Sequence, residues 1–263
     1  MPEPAALWHP SAAYLYVLRL DGPGLAWEYL RRHPDYARGW RAHRSGADVD
    51  PDRWGLCRFE DPDQRAPDFQ PDWVRDPADT LQVQPSLARS ADDYRFGLWQ
   101  LPGHKRIEHD GHRVRLVAQF ASCVLRLALA PTIEDGLPIA GAIAIDEVCA
   151  MRWRAAQSTL RWLTNPRPID EAPTDRPGRG SVLNMRSLQA LDGASAGASM
   201  RQIAVALFGE CEAYARWHAE SELRAHVRYL VHRGRRLMHG GYHRLLHPGR
   251  RNPGENEPPA LSP

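Results

Sequence analysis

The chain has 263 residues, of which 43% are hydrophobic, and a formal net charge of +2. That length allows one large domain or about two to three small ones with a sizeable core. Its four cysteines are far apart and form no CxxC pair, which excludes a disulfide-rich secreted scaffold and predicts a reducing cytoplasm. We find no basic leader followed by an apolar run, and no apolar stretch long enough to span a bilayer. We therefore expect a soluble protein without membrane contact.

Charge is distributed unevenly along the chain. Residues 47–80 carry ten acidic side chains against four arginines, whereas residues 221–251 carry eight arginines against the single acid Glu222. Lys105 is the only lysine among 34 basic residues, which indicates a GC-rich coding sequence and makes the abundance of arginine uninformative by itself. The concentration of cations near the C-terminus nevertheless predicts a partner that carries phosphates.

Residues 1–80 predict an N-terminal domain of helices and short strands. Residues 14–20 fit a strand or a helix start and are interrupted by Asp21-Gly22-Pro23-Gly24. Pro34 is predicted to separate two helices, because proline begins a helix easily and disrupts its interior. Residues 54–59 look like a short strand, and the Pro- and Asp-rich residues 61–77 look like a loop with a solvated acidic surface.

Aromatic and arginine side chains are mixed through the predicted helices of this domain. Such a mixture can form a platform for stacking bases, but at helical spacing it more commonly forms a core, and we prefer the core interpretation. The positions concerned are Trp27, Leu30, Tyr36 and Trp40.

Residues 81–163 predict a small antiparallel sheet followed by a helix. Apolar and polar residues alternate in 96–101, 113–120 and 123–129, with turn residues between them, and 147–163 has helical periodicity. Arginines on the open side of the sheet could touch a phosphate backbone, although exposed strand positions are polar by default. These arginines are Arg113, Arg115 and Arg126.

The remainder of the chain predicts a linker, a helical domain and a tail. Residues 164–181 are rich in proline and predict an exposed linker, and residues 248–263 predict a disordered tail. Between them, residues 182–247 have the pattern of an all-helical, helix-turn-helix-like DNA-binding domain. The expected fold class is therefore α+β.

Two amphipathic helices dominate that domain. Ser199 and Gln202 have the spacing of a capping box, and the helix that they begin ends at Gly209. A second helix begins near Ser221; one of its faces is apolar and can be buried, and the other is polar and solvated. The connector of residues 209–220 is longer than the turn of a simple helix-turn-helix, so we expect it to hold a helical turn of its own.

The solvated face of the second helix is rich in arginine. At about 100° per residue, Arg224, Arg228 and Arg235 fall within roughly 40° of one another, with His232 beside them. The alternatives are a merely solvated helix and a helix that reads base edges in the major groove, and we prefer the second because of the charge cluster. The candidate DNA-binding residues are Ser199, Arg201, Gln202, Arg224, Arg228, His232, Arg233, Arg235, Arg236 and Tyr242.

The members of this set have different expected roles. Arg224, Arg228 and Arg235 are expected at bases, whereas Arg201, Arg233 and Arg236 are expected at phosphates. Tyr242 is expected to pack the last helical turn or to touch the DNA backbone.

Metal binding and catalysis are weaker interpretations. His239, His243 and His247 recur every four residues, but Gly240-Gly241 and Pro248 disfavour a helix there and no carboxylate or cysteine lies nearby in sequence. Sequence motifs for nucleophilic, nucleotide-dependent or zinc-dependent catalysis are missing. We therefore expect no metal, no cofactor and no catalytic residue. Two alternatives to DNA binding stay open: a protein-interaction module that uses the acidic residues 47–80, and a Mg²⁺-dependent nuclease with scattered carboxylates.

Two segments resemble known families. The run AWEYLRRHPDYARGW, with WGLCRFEDP and PDWVRD after it, resembles the transcriptional-regulator-like domain common in proteobacterial mobile elements. The residues from Ser199 to Gly209, from His226 to Leu237 and from Gly240 to Leu246 together resemble the DNA-binding domain of RovC-type activators. His226 stands where an arginine is common in that family.

The resemblance implies a transcription activator of type VI secretion genes or of the excision of integrative and conjugative elements. It further implies an N-terminal region that serves self-association or binds a regulatory protein partner. Together with the charge pattern, it leads us to expect a homo-oligomer on palindromic double-stranded DNA, located in the cytoplasm on the nucleoid.

Overall fold

The computed structural model describes residues 8–88, 90, 93–101, 103–109, 113–120, 123–146, 149–164, 177–218 and 221–246. The fold class is α+β, as predicted from the sequence. The chain divides into two compact units, and each is described separately. The first unit consists of residues 1–75 and 173–245, and the second of residues 76–172 and 246–263.

The N-terminal part of the first unit is helical. A 3-10 helix spans Ser11–Arg19, α1 spans Gly22–Leu30 and α2 spans Pro34–Arg44. The Asp21 carboxylate accepts a hydrogen bond from the Gly24 N–H at 2.8 Å, so the residues that interrupt the pattern also begin α1. Pro34 separates the two α-helices, as predicted.

The aromatic residues of these helices form a core. Trp27, Leu30 and Tyr36 are each 0% exposed, which confirms the core interpretation over a stacking platform. The predicted strand over residues 54–59 is wrong. A 3-10 turn at Asp52–Trp54 and one isolated bridge between Leu56 and Trp73 occupy that region instead, because the neighbouring loop supplies a single pairing position and no continuous partner strand.

A five-stranded sheet forms the centre of the second unit. Its strands are Leu81–Pro85 (β1), His104–His109 (β2), Val114–Phe120 (β3), Cys123–Leu129 (β4) and Ile139–Ala142 (β5), in the order β2-β3-β4-β1-β5. The predicted antiparallel pairing is confirmed for β3 and β4. The sequence pattern missed β2, which is antiparallel to β3, and residues 96–101, which were expected to form a strand, contain a 3-10 turn at Leu98–Gln100. Strand β1 is parallel to β4 and antiparallel to β5.

Helix α3, Cys149–Thr164, packs against this sheet and contributes Ala156 and Leu163 to its core. The expectation that Arg126 lies on the open side of the sheet is wrong, because its side chain is 5% exposed and its Nη1 lies 2.6 Å from Asp79 Oδ2. The partly buried Arg115 pairs with Asp76 at 3.1 Å. A nearby carboxylate allows an arginine to be buried where the alternation alone suggested exposure.

The C-terminal helices of the first unit begin inside the predicted linker. Helix α4 spans Arg179–Ser195, while residues 165–176 of the linker and the tail 248–263 lie outside the described residues. The helices that follow are α5 (Met200–Phe208), α6 (Glu210–Arg216), α7 (Glu222–Arg236) and α8 (His243–Leu246), with a π-turn at Leu237–Gly241 between the last two.

Candidate nucleic-acid interface

The capping box at the start of α5 is present as predicted. The Gln202 N–H donates to Ser199 Oγ at 3.3 Å, and the Ser199 N–H donates to Gln202 Oε1 at 2.8 Å. The two side chains therefore satisfy each other and the helix end, and both residues are exposed. Their direct role is to fix where α5 begins.

Helix α6 occupies the connector between α5 and α7, which confirms the expectation of a helical turn there. The guanidinium of Arg201 on α5 stacks over the ring of Tyr214 on α6, with 4.6 Å between the guanidinium carbon and the ring centroid. Arg216 pairs with Glu212 at 2.5 Å within α6. The Arg201–Tyr214 contact joins the two helices and holds one exposed cation on a rigid aromatic surface.

The buried face of α7 fixes this helix against α4. Leu223, Val227 and Leu230 are at most 5% exposed, and Ser221 begins the helix by accepting from the Arg224 N–H at 3.1 Å. The approach to α4 is close at Gly234, where an added Cβ would lie 2.8 Å from the Ser187 carbonyl oxygen. Only glycine fits at this point, so the position of α7 is set by backbone contact.

The opposite face of α7 carries the predicted stripe. Arg224, Arg228, His232 and Arg235 are all exposed, and they fall within an arc of roughly 80° at 100° per residue. Arg236 is also exposed and lies about 40° beyond His232 on the same helix.

Two candidate residues have their polar groups directed into the protein. Arg233 is half-buried, and its Nη2 donates to Asn184 Oδ1 on α4 at 2.7 Å. Tyr242 is 1% exposed and its hydroxyl donates to the Trp54 carbonyl oxygen at 3.0 Å. Burial also raises the pKa of Tyr242. Of the two alternatives for Tyr242, packing therefore holds, and contact with a DNA backbone is excluded by its burial.

The sequence interpretation overlooked Tyr229, which is 48% exposed beside the arginine stripe. Its ring stacks on His226 with 6.3 Å between ring centroids, His226 contacts Phe208 at 5.8 Å, and Arg186 lies over Phe208 at 5.0 Å. Burial, followed by the charge of Arg186, lowers the pKa of His226, so this ring is held neutral. The position of Tyr229 directly after Arg228 on the solvated face was the signal that could have identified it.

Of the three histidines with four-residue spacing, His239 and His243 have different neighbours. His239 Nδ1 lies 3.1 Å from His33 Nε2, whereas the ring of His243 lies against Tyr242 at 4.2 Å, and His247 lies outside the described residues. In the part of the chain that the structure describes, no group of three or more His, Cys, Asp or Glu side chains is placed to hold a metal ion.

Comparison with known families assigns three segments of the chain. Residues 142–247, which include α4 to α8, match a family model described as the DNA-binding domain of a type VI secretion system transcription factor. That family model is named for the RovC DNA-binding domain. Residues 7–59 match the proteobacterial transcriptional regulator-like domain, and residues 78–125 match a domain of unknown function, DUF7011. No curated protein matches the chain.

The matches to a RovC DNA-binding domain and a regulator-like domain support a DNA-binding transcriptional regulator, and they point to a non-enzymatic protein. They include the C-terminal runs of the resemblance and the run AWEYLRRHPDYARGW, whereas PDWVRD, residues 71–76, lies outside the match to residues 7–59. None of the helices in the described ranges is both long enough and apolar enough to cross a bilayer.

Proposed function

We propose that this RovC-domain protein is a transcription activator that binds duplex DNA by placing α7 in the major groove. The observation that carries the proposal is the exposed cationic face of α7 within the segment that matches the DNA-binding domain. Helices α5 and α6 complete a helix-turn-helix-like arrangement in which the connector is itself a helix.

The dimensions of α7 suit this role. Arg224 and Arg235 are eleven positions apart, which corresponds to about 16 Å along the helix, and the major groove is about 12 Å wide. Because this span exceeds the width of the groove, we propose that α7 lies along the groove, where all three arginines of the stripe can reach base edges. We assign Arg224, Arg228 and Arg235 to bases, with His232 beside them, and Arg236 and Arg201 to phosphates.

We assign different roles to four of the candidates. Ser199 and Gln202 act through the α5 cap, which sets how α5 presents Arg201. Arg233 acts through Asn184, by fixing α7 on α4. Tyr242 belongs to the core. We add Tyr229 to the set, because its exposed ring lies about 20° from Arg236 around the helix and offers an apolar surface to a thymine methyl group or a sugar.

Point variants of α7 test the proposal by fluorescence anisotropy on two duplexes, one selected from a random library for highest affinity and one unselected. Arg228→Ala is expected to cost about 1–3 kcal/mol on the selected duplex and little on the other. Arg236→Ala is expected to weaken both duplexes by the same factor and to reduce the salt dependence by about one phosphate contact.

The matched control is Arg41→Ala, which removes an exposed arginine of α2 outside the matched DNA-binding segment. If Arg228→Ala and Arg236→Ala both bind like the wild type, as Arg41→Ala should, α7 is not the DNA-binding helix. A chain that binds no duplex at low salt supports the interaction module instead, and Mg²⁺-dependent plasmid cleavage supports the nuclease.

The finer functional features belong to the same proposal. A single module gives modest affinity, so we propose a homo-oligomer on a palindromic site, with the N-terminal region available to a regulatory protein. We further propose that it acts in the cytoplasm on the nucleoid and regulates type VI secretion genes or a mobile element. Light scattering of the purified chain tests the oligomer, and a promoter fusion distinguishes activation from repression.

A further inference from the structure

The first unit contains a cavity that DNA binding does not use. Its volume is about 650 Å³, which is within the range of small-molecule sites. Its walls come from the 3-10 helix, the end of α1, the loop at Arg65 and the end of α4. A molecule in the cavity would therefore contact residues of both matched segments, 7–59 and 142–247.

Two carboxylates bind the arginines of the cavity wall, Asp192 at the wall itself and Glu28 buried behind it. Glu28 accepts from Arg31, Arg32, the Tyr16 hydroxyl and the Ala66 N–H. Asp192 accepts two hydrogen bonds from Arg32, at 2.6 and 2.9 Å, and one from the Tyr14 hydroxyl at 2.7 Å. These protein donors take up most of the acceptor capacity of the two carboxylates.

The guanidinium groups of the same wall retain unused donors. Arg31 donates from Nε to Glu28 and from Nη1 to the Pro62 carbonyl oxygen, so that among the described residues its Nη2 has no acceptor. Arg65 is 55% exposed, makes one ion pair with the exposed Asp68 at 3.5 Å, and lies over the Tyr16 ring at 5.7 Å. With Asp68 counted, three arginines face three carboxylates, so an anion would be attracted by the unused guanidinium donors and not by a net positive charge.

We propose that this cavity binds a small organic anion, a carboxylate or a phosphate monoester on a planar body. The unused guanidinium donors of Arg31 and Arg65 bind the anionic group, because a guanidinium binds carboxylate and phosphate oxygens bidentately. The rings of Trp8 and Tyr16 provide an apolar part of the cavity wall, against which the planar body of the ligand can pack. Burial raises the pKa of the Tyr16 phenol, so its hydroxyl stays a donor to Glu28 and does not compete with the ligand for the cations.

Titration calorimetry on the full chain tests the site with benzoate and phenyl phosphate as probes. Benzyl alcohol serves as the uncharged match and inorganic phosphate as the anion without a ring. Both organic anions are expected to saturate the protein below about 10 mM, and benzyl alcohol and inorganic phosphate to bind at least about tenfold more weakly.

The diagnostic variant is Arg65→Ala, which leaves the internal pairs of Glu28 and Asp192 intact and should fold normally. It is expected to raise the dissociation constant of phenyl phosphate at least about tenfold, while Arg41→Ala leaves it unchanged. The proposal is overturned if neither organic anion saturates the protein, if Arg65→Ala binds like the wild type, or if inorganic phosphate binds as tightly as phenyl phosphate. These results do not depend on whether the chain binds DNA.

Discussion

Gly234 is the position where a single methyl group tests how α7 is held. In Gly234→Ala, the new Cβ would lie 2.8 Å from the Ser187 carbonyl oxygen and 2.9 Å from Leu191 Cβ. The oxygen belongs to the backbone of α4 and cannot rotate away, so α7 must move outward by roughly half an ångström to restore normal contacts. That displacement moves the whole arginine stripe.

The expected magnitude is the difference between two opposing effects. Overpacking in a core costs about 1–3 kcal/mol, whereas alanine is favoured over glycine inside a helix by about 1 kcal/mol. The free energy of unfolding should therefore fall by up to about 2 kcal/mol, which lowers the melting temperature by up to roughly 8 °C for a unit of this size.

Thermal and urea unfolding followed by circular dichroism measure this change. The matched control is Gly180→Ala in α4, where a Cβ meets no atom within 4 Å and only the gain in helix propensity remains. The reasoning is refuted if Gly234→Ala is as stable as Gly180→Ala. DNA affinity should fall in Gly234→Ala and stay at the wild-type level in the control.

Four further predictions concern a helix cap, a buried hydroxyl, a buried carboxylate and a buried histidine. Ser199→Ala should lower the free energy of unfolding by about 0.5–2 kcal/mol in urea denaturation, because it removes the α5 cap, while Ser195→Ala at an exposed helix end should change it little. Tyr242→Phe should cost about 1 kcal/mol by the same assay and leave the salt dependence of DNA binding unchanged, since a DNA-backbone role would alter that dependence. Glu28→Gln should cost about 3–5 kcal/mol in the same assay, because Arg31 loses its carboxylate partner and Arg32 keeps only Asp192. Burial opposes ionisation of Glu28, but Arg32 and Arg31 outweigh it and lower its pKa to about 2, so the wild type loses this contribution as pH falls from 4.5 toward 2. Burial, followed by the charge of His239, lowers the pKa of His33, so the folded state binds fewer protons than the unfolded state near that pKa. The free energy of unfolding should therefore fall as pH drops through about 6.5, and it should fall less steeply in His33→Asn.

The His33 prediction has a structural reason as well as an electrostatic one. His33 Nδ1 accepts from the Asp35 N–H at 3.1 Å and its Nε2 faces His239 Nδ1, so a second proton on this ring disrupts the cap of α2. The charged groups that face His33 are Asp35, which favours protonation, and Arg38 and Arg53, which oppose it. Urea titrations at a series of pH values measure the effect, and an equal slope for wild type and variant would contradict it.

Local patterns were sufficient for the helices that place the candidate interface. The Ser199–Gln202 spacing predicted the start of α5, and the apolar period after Ser221 predicted which face of α7 is buried, because both depend on residues within one or two turns. Pro34 likewise marked a helix boundary through its own covalent geometry.

Long-range pairing was beyond the reach of those patterns. The sequence pattern predicts an exposed strand position for Arg126, because it contains no sign of the ion pair with Asp79, which is far away in sequence. Strand β1 is short and finds β4 only after the chain has passed through two other strands, so its alternation carried little signal. Arg233 and Tyr242 were assigned from charge and residue type, whereas their partners Asn184 and Trp54 are brought to them by the tertiary fold.

The central claim is that arginines of α7 contact base edges in the major groove. Protection of guanine N7 from dimethyl sulfate, on the duplex selected for highest affinity, measures such contacts directly. The account predicts that wild type protects guanines in the site, that Arg228→Ala loses protection at one of them, and that Arg41→Ala keeps the full pattern. Full protection that persists in Arg224→Ala, Arg228→Ala and Arg235→Ala alike, or tight binding without any protection, would contradict it.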